Sequence, residues 1–522
     1  MSKFAISQGR DSHIYIFAFL TSIVLSYLIG YRNHVINPDG ICYILSAQMV
    51  GSASIKDVMH LCPQSQWPFY STLIYSLVQI SQLSYSASAH VINAIFTIIS
   101  AVTFITIVKE VGGTSKRILW LAALIILFAH QFNVLRDNII RDHGFWAFYL
   151  VSIYYLLKFF KQPKMSTALA WNVSLMMATL FRIEGVIFLL GLPFISWFSF
   201  SHTLKQRAKS FLMLNSPLIL IIVLFALWQV SHPEQGLQKL GRVNEVINQL
   251  QNGFYILAGR YQTTKMALIQ HVLPPEGASD AVPILYLVLI GWYLYNVVLT
   301  LSFGYAALII YAWMNRAAVF TPKSSLVVWG YIIINLLMTL IFLAEHLFIS
   351  KRYLIALSLT LMIWVPFAFN DLIEKWGVLR KRIFLIIMSL MVCASALSGV
   401  VEFGQSKFYI RSAGNWIAEH VPENATLYVN DFQLMYYTQH FGTHIFEILP
   451  TYLNINTISD GKWKNYDYVA LRLRKQEEGE ILGVMRELAD VTPVHEFSNK
   501  RGNRVVIYKV SNIAADKKNG EQ

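Results

Sequence analysis

Just past its first apolar run the chain reads Asn37-Pro38-Asp39-Gly40-Ile41-Cys42-Tyr43. A carboxylate at that edge can take a proton from a hydroxyl while a lipid-linked molecule lies alongside. The same residues also predict a plain helix start, with Pro38 at its first position and an acid favoured by the dipole alone. Cations recur at the ends of later apolar runs, as Arg136 with Arg141, as Arg182, and as Lys351 with Arg352. Asp137 and Asp142 accompany the first group, and Glu184 the second, in Phe181-Arg182-Ile183-Glu184-Gly185. Ionisable groups so near hydrocarbon are costly, and tend to be paired or functional. The planar fork of an arginine suits a phosphate, to which it donates two parallel hydrogen bonds. One face of the molecule would thus offer a base and phosphate-binding cations. An interfacial ion pair at Arg141–Asp142, a structural role for Arg182 and Glu184 in a tight turn between helices, and a headgroup anchor at Arg352-Tyr353 would account for these residues without chemistry. His346 beside Glu345 has the residue types of a metal pair, but a single His at the end of a span is usually not a ligand.

The elements that must hold these residues are apolar. Of 522 residues 55% are hydrophobic and 14% charged, and the mean hydropathy is +0.48. A soluble chain carries about 25% charged residues. Runs near 14–31, 87–108, 118–132, 144–160, 167–181, 186–200, 211–230, 282–313, 326–343, 353–369 and 383–401 predict a polytopic all-α membrane protein with about eleven spans. The run at 282–313 is longer than a bilayer needs and is expected to tilt or to extend beyond the lipid. Basic residues fall on alternate connections: Lys3 and Arg10; Lys109, Lys116 and Arg117; Lys158, Lys161 and Lys164; Lys205, Arg207 and Lys209; Arg316 and Lys323; Lys375, Arg380, Lys381 and Arg382. Those connections are assigned to the cytoplasm, together with the N-terminus, and the odd span number puts the C-terminal region outside. The net charge of +13 is read as this loop bias, with no call for nucleic acid. The first apolar run has no small-residue cleavage site after it and is read as a retained span. Three cysteines without a CxxC pair exclude a zinc ribbon and a redox motif. Cys42 and Cys62 share an outer connection, as a disulfide or as two free thiols, and Cys393 falls within a span.

Three outer pieces complete the organisation. Residues 32–86 carry Trp67-Pro68-Phe69-Tyr70 and an apolar run to Ile80, too short to span and expected to lie in the interface. Residues 231–281 are polar and amphipathic and are read as a mobile cover over a site, with Gly236, Gly241, Gly253 and Gly259 as hinges. The tail alternates helices at 409–420 and 478–488 with strands at 426–430, 466–473 and 504–510, which predicts a small extracytoplasmic α/β domain. The domains are therefore 1–401, transmembrane with its outer loops, and 402–513, with a disordered tail at 514–522.

Pro38-Asp39-Gly40 with Tyr43, the Arg141-Asp142 pair, Arg182-Ile183-Glu184-Gly185 and Arg352-Tyr353 resemble the motifs of the type C (GT-C) glycosyltransferases, over essentially the whole chain. These polyprenyl-phosphate-sugar-dependent membrane enzymes include protein mannosyltransferases and the aminoarabinose transferase of lipid A. The resemblance implies transfer of a sugar from a polyprenyl-phosphate donor to a glycan, lipid or protein acceptor on the extracytoplasmic side of a bacterial inner membrane. It assigns Asp39 as general base, Asp142 and Glu184 to the acceptor or a divalent metal, and Arg352, Arg182 and Arg141 to the donor phosphate. Family members often have two acids in the first motif, whereas Gly40 follows Asp39 here, so a second carboxylate must come from elsewhere, with Asp142 the first candidate. No Gly-rich phosphate loop is present, as expected if no nucleotide serves as cofactor. Two other functions compete. A transporter or flippase calls for charges near mid-bilayer and symmetric halves, and neither is seen in the sequence. An O-antigen polymerase or ligase would use similar donors, but typically without an α/β tail and this first-loop acid.

Overall fold

The computed structural model describes residues 11–32, 35–199, 203–231, 243–318, 320–401, 407–438, 462–475, 483, 486, 488 and 491–510. The chain divides into two bodies. One, helical, comprises Met1–Ser26, Val91–Arg136 and Arg141–Val400; the other comprises Tyr27–His90, Asp137–Ile140 and Val401–Gln522 and carries a sheet.

All eleven apolar runs are helical over most of their described residues. Among the described residues seven helical segments are long and apolar enough to cross a bilayer: Ser12–Gly30, Tyr85–Glu110, Leu204–Leu224, Pro275–Leu301, Pro322–His346, Lys351–Glu374 and Leu379–Val400. The long run at 282–313 does not continue as one helix. It breaks at Ser302, whose φ of 75° no helix interior accommodates, into Ala281–Leu301 and Phe303–Met314. The second piece packs on its own partners: Tyr305 donates to the Ile125 carbonyl at 3.0 Å, and Gly304 lies against Val392.

The described part of the connection at 231–281 is also mostly not a loop. Val243–His271 is a single helix, with Gly253 and Gly259 inside it, which removes them as hinges of a cover. Each glycine costs a helix about 1 kcal/mol against alanine, and the Leu, Ile, Gln and Ala around them favour helix throughout. Gly236 and Gly241 lie outside the described residues.

Helix Asp142–Lys161 is central to the helical body. It packs on Met165–Phe181 so closely that a Cβ on Gly144 would sit 2.4 Å from the Phe181 ring. A buried polar chain ties it to two further helices. Asn335 donates to the Tyr149 hydroxyl at 2.6 Å, and that hydroxyl bonds Thr360 at 2.7 Å. Trp171 donates to the Tyr331 hydroxyl at 3.1 Å, and Tyr331 bonds Ser152 at 2.7 Å. Polar groups buried among membrane helices have no water to turn to, so they must satisfy one another.

The sheet body joins the first outer connection to the tail. Its four strands, β1 (Leu427–Val429), β2 (Tyr468–Leu473), β3 (Pro493–Ser498) and β4 (Arg504–Lys509), lie in the order β1-β2-β4-β3. β1 runs parallel to β2, and the other two pairings are antiparallel. The period-two alternation of strand side chains puts Leu427, Val429, Ala470, Val505 and Ile507 on one face. Tyr428, Val469, Leu471, Val506 and Tyr508 occupy the other. The first face is shared by helix Phe408–His420 and by Ile41, Leu45 and Leu61 of the outer connection, in one apolar core. Tyr437 accepts from the Ile36 backbone N–H at 2.8 Å, and Gln433 donates to its carbonyl at 2.7 Å. The expected interfacial segment forms helix Phe69–Ser81. β3 was not expected: it is an edge strand that begins with proline, is bulged between Pro493 and His495, and is mostly exposed, so it lacks the alternation that marks a strand in sequence. The predicted helix at 478–488 lies largely outside the described residues, as does the tail at 514–522.

Candidate active site

Five of the predicted residues meet in the helical body, Asp142, Arg182, Glu184, Arg352 and Arg141. Helix Met165–Phe181 ends at Arg182, whose extended backbone turns its side chain out of the helical path. Gly185 then opens the next helix, where an added Cβ would fall 2.5 Å from Thr179 Oγ1 and 2.8 Å from its backbone nitrogen. Only glycine permits so tight a corner. The corner lets Arg182 reach Glu184 two residues on, with Nη2 donating to Oε1 at 2.6 Å and Nε to Oε2 at 3.3 Å. Its Nη1 donates to Asp142 Oδ1, at the first turn of helix Asp142–Lys161. The guanidinium thereby joins two carboxylates while lying 4.6 Å from the Tyr353 ring centre and 5.8 Å from that of Phe145.

Arg352 closes another side. Its Nη2 donates to the Tyr353 hydroxyl at 3.2 Å, and its charge acts on Asp142. Arg141 immediately precedes Asp142 and is only 8% exposed, and its charge reaches both Asp142 and Glu184. Its Nη1 is buried without a hydrogen-bond partner among the described residues. Burial favours a neutral Glu184, but the Arg182 guanidinium outweighs it, with Arg141 adding, and the carboxyl is held down to about 2. Arg182 is pushed further above its ordinary value: burial opposes its charge, and Glu184 and Asp142 overcome that. Three guanidiniums thus face two carboxylates, and the excess is positive.

A divalent metal needs several oxygen donors. Here both carboxylates are engaged by Arg182, three cations surround them, and no three His, Cys, Asp or Glu side chains gather at one point among the described residues. This donor set fits an anion rather than a metal ion.

The other predicted residues separate. Arg136 is buried elsewhere in the helical body, donating to Ser22, Ser26, Thr97 and Asn133. His346 stacks on Phe342 with ring centres 4.2 Å apart and bonds that residue's carbonyl, as a helix-end side chain does. Asp137 belongs to the sheet body, 3.6 Å from His90. So does Asp39, half-buried in the first turn of helix Pro38–Val50, where it accepts from Gln64 Nε2 at 2.8 Å. Asn37 does not cap that helix with its side chain. It grips Ile139 instead, accepting from its N–H at 2.8 Å and donating to its carbonyl at 3.3 Å. Cys42 and Cys62 form a disulfide. Tyr353, Phe145 and Gln64 were not among the predicted site residues. Tyr353 and Phe145 each neighbour a predicted charge in sequence, whereas only the cysteine pair hints at Gln64.

Fold and cluster together define a polytopic helical membrane protein with a C-terminal sheet and a buried, cation-rich centre. No known family pattern matches the chain, and no curated protein matches it. Among solved structures it is similar to ArnT from Cupriavidus metallidurans bound to undecaprenyl phosphate, at 12% identity and a TM-score of 0.47 over 96% of this chain and 98% of that one. It is also similar to the apo state of the same protein, at 14% identity and a TM-score of 0.39 over 97% and 99% of the two chains.

Proposed function

We propose that this chain is a membrane glycosyltransferase that moves a hexosyl or pentosyl group from a polyprenyl-phosphate donor to an acceptor hydroxyl on the extracytoplasmic side. The cation-rich cluster around Asp142 and Glu184 carries this reading, with the buried Nη1 of Arg141 unpartnered in it among the described residues; Arg136 Nη2 is unpartnered too, but the partners bonded to Arg136 are neutral. A phosphate supplies the oxygen acceptors that such a fork lacks. In the reaction the bond from the anomeric carbon to the phosphate oxygen breaks and its electron pair stays on the phosphate, where Arg141 and Arg352 meet the developing charge. Arg182, held by Asp142 and Glu184, keeps the cluster in register. The resemblance assigns the proton transfer to Asp39: as the acceptor oxygen bonds the anomeric carbon from the opposite face, its proton passes to that carboxylate, and the configuration inverts. No step is routed through a metal ion. The resemblance of the motifs around Asp39, Asp142, Arg182 and Arg352 supports the same assignment, in a bacterial inner membrane.

The test pairs binding with transfer. Purified wild-type protein should bind polyprenyl phosphate, and the Arg141→Ala, Arg352→Ala double variant should bind it at least about tenfold more weakly, as loss of a charge-assisted contact predicts. Asp39→Asn should bind it normally, yet lose about 10²–10⁴-fold in transfer, read by mass spectrometry of cell-envelope glycans. Undiminished binding by the double variant would sink the reading.

A further inference from the structure

We propose that Gln64 is a positioning residue for Asp39, held in place by the Cys42–Cys62 disulfide; the proposal rests on Asp39 being the base. Asp39 and Cys42 are three residues apart in helix Pro38–Val50, so they share a face of it. Cys62 stands immediately before the short turn Pro63–Gln66, and the disulfide fastens that turn to the helix with a Cα separation of 6.3 Å. The turn is firm in itself. Ser65 is buried, accepts from the Cys62 N–H at 3.1 Å and donates to the Cys62 carbonyl at 2.6 Å. Before Cys62, Leu61 is anchored in the core that contains Ile41 and Leu45. Gln64, between the fixed Cys62 and Ser65, reaches back and donates to Asp39 Oδ1 at 2.8 Å.

The chemistry of an amide suits this task. Gln64 donates a hydrogen bond, carries no charge and does not titrate, so it orients a carboxylate without competing for the proton that the carboxylate must take. A glutamate of the same shape would repel Asp39 instead. The disulfide closes a connection of 20 residues, and reduction would free the turn that carries Gln64 while leaving Asp39 in its helix. Cys42 and Cys62 therefore set the aim of the base from a distance.

The experiment is a cycle of variants in the full-length purified protein, with transfer kinetics and donor binding both measured. Gln64→Ala in the oxidised protein should lower kcat on the order of 10–100-fold, the scale of a misplaced reacting group, with donor affinity unchanged. Gln64→Glu should fall at least as far, although it fills the same space; a residue kept only for shape would tolerate it. Reduction of wild-type protein should lower kcat by a similar factor, and reduction of Gln64→Ala should add almost nothing, because both act through one contact. Multiplying losses, or a Glu variant with wild-type kcat, would overturn the proposal. If these variants keep wild-type kcat while Asp39→Asn is inactive, the positioning role fails and the base stands. If Asp39→Asn is active, the base assignment itself falls.

Discussion

Arg136 and Arg141 lie five residues apart in one connection, yet they keep different company. Arg136 spends Nε and Nη1 on neutral oxygens of neighbouring helices, Ser22 Oγ at 2.9 Å, Ser26 Oγ at 3.2 Å, Thr97 Oγ1 at 3.3 Å and Asn133 Oδ1 at 3.1 Å, and its Nη2 is buried without a partner among the described residues. It joins the first helix to Tyr85–Glu110. Arg141 sits beside carboxylates that another arginine already holds, and its Nη1 is left over. Each guanidinium keeps one unpartnered nitrogen among the described residues, but the bonded partners of Arg136 are neutral oxygens of the fold, whereas Arg141 stands in a cluster of cations whose charge suits an anion. The lesson is that the charges around an arginine near hydrocarbon separate structure from function better than a single unpartnered nitrogen does.

The largest expected effect comes from breaking the lock beside Arg141. Arg182→Ala leaves Asp142 and Glu184 buried without their cation and should destabilise the protein by about 3–5 kcal/mol. Thermal unfolding in detergent measures it, and adding Asp142→Asn with Glu184→Gln should recover most of the loss. A single variant that melts with wild type would mean that the cluster does not depend on these pairs.

A smaller effect tests the contrast itself. Arg136→Met gives up hydrogen bonds to a charged donor, each worth about 1.5–3 kcal/mol, and should lower the melting temperature with polyprenyl-phosphate affinity intact. Arg141→Met should do the reverse, melting no earlier than wild type but binding the phosphate more weakly. If both variants change the same property, the distinction between them is wrong.

The smallest effect is a pH dependence. Glu184 is held down to about 2 in the folded protein, below its ordinary value of 4.5. A depressed carboxyl contributes stability that is fully present above about pH 4.5 and is lost as the pH falls toward 2. Unfolding followed across that window should weaken in wild type, and Glu184→Gln should flatten that part of the profile.

Much of the helical body was legible in the sequence, because hydrophobic runs and loop charge are written residue by residue. Asp142, Arg182 and Glu184 stood out as charges beside hydrocarbon, and they do meet. What sequence could not show was partnership. Arg136 and Arg141 look alike until Ser22 and Thr97 come in from distant segments to claim the first. The break at Ser302 was hidden because hydropathy averages over a single unusual backbone angle. Helix Val243–His271 was hidden because glycines and polar side chains resemble those of a connection, although its core formers carry it. Gln64 was invisible for a related reason: its contact with Asp39 spans 25 residues and depends on a disulfide that the spacing alone left undecided.

The shared core of the sheet body also bears on the order of synthesis. Ile41 and Leu45 precede most of the membrane helices, while Val505 and Ile507, which pack in the same cluster, follow all of those described. The contact from Ile36 to Tyr437 spans 401 residues. Almost every membrane helix is thus made while that core is unfinished, and β4 comes last. Such long-range closure is slow, because the entropy of the intervening chain is lost before the contact repays it. Newly made chain therefore has a waiting period in which Ile41 and Leu45 lack their final neighbours, and it lasts until Val505 and Ile507 have been made.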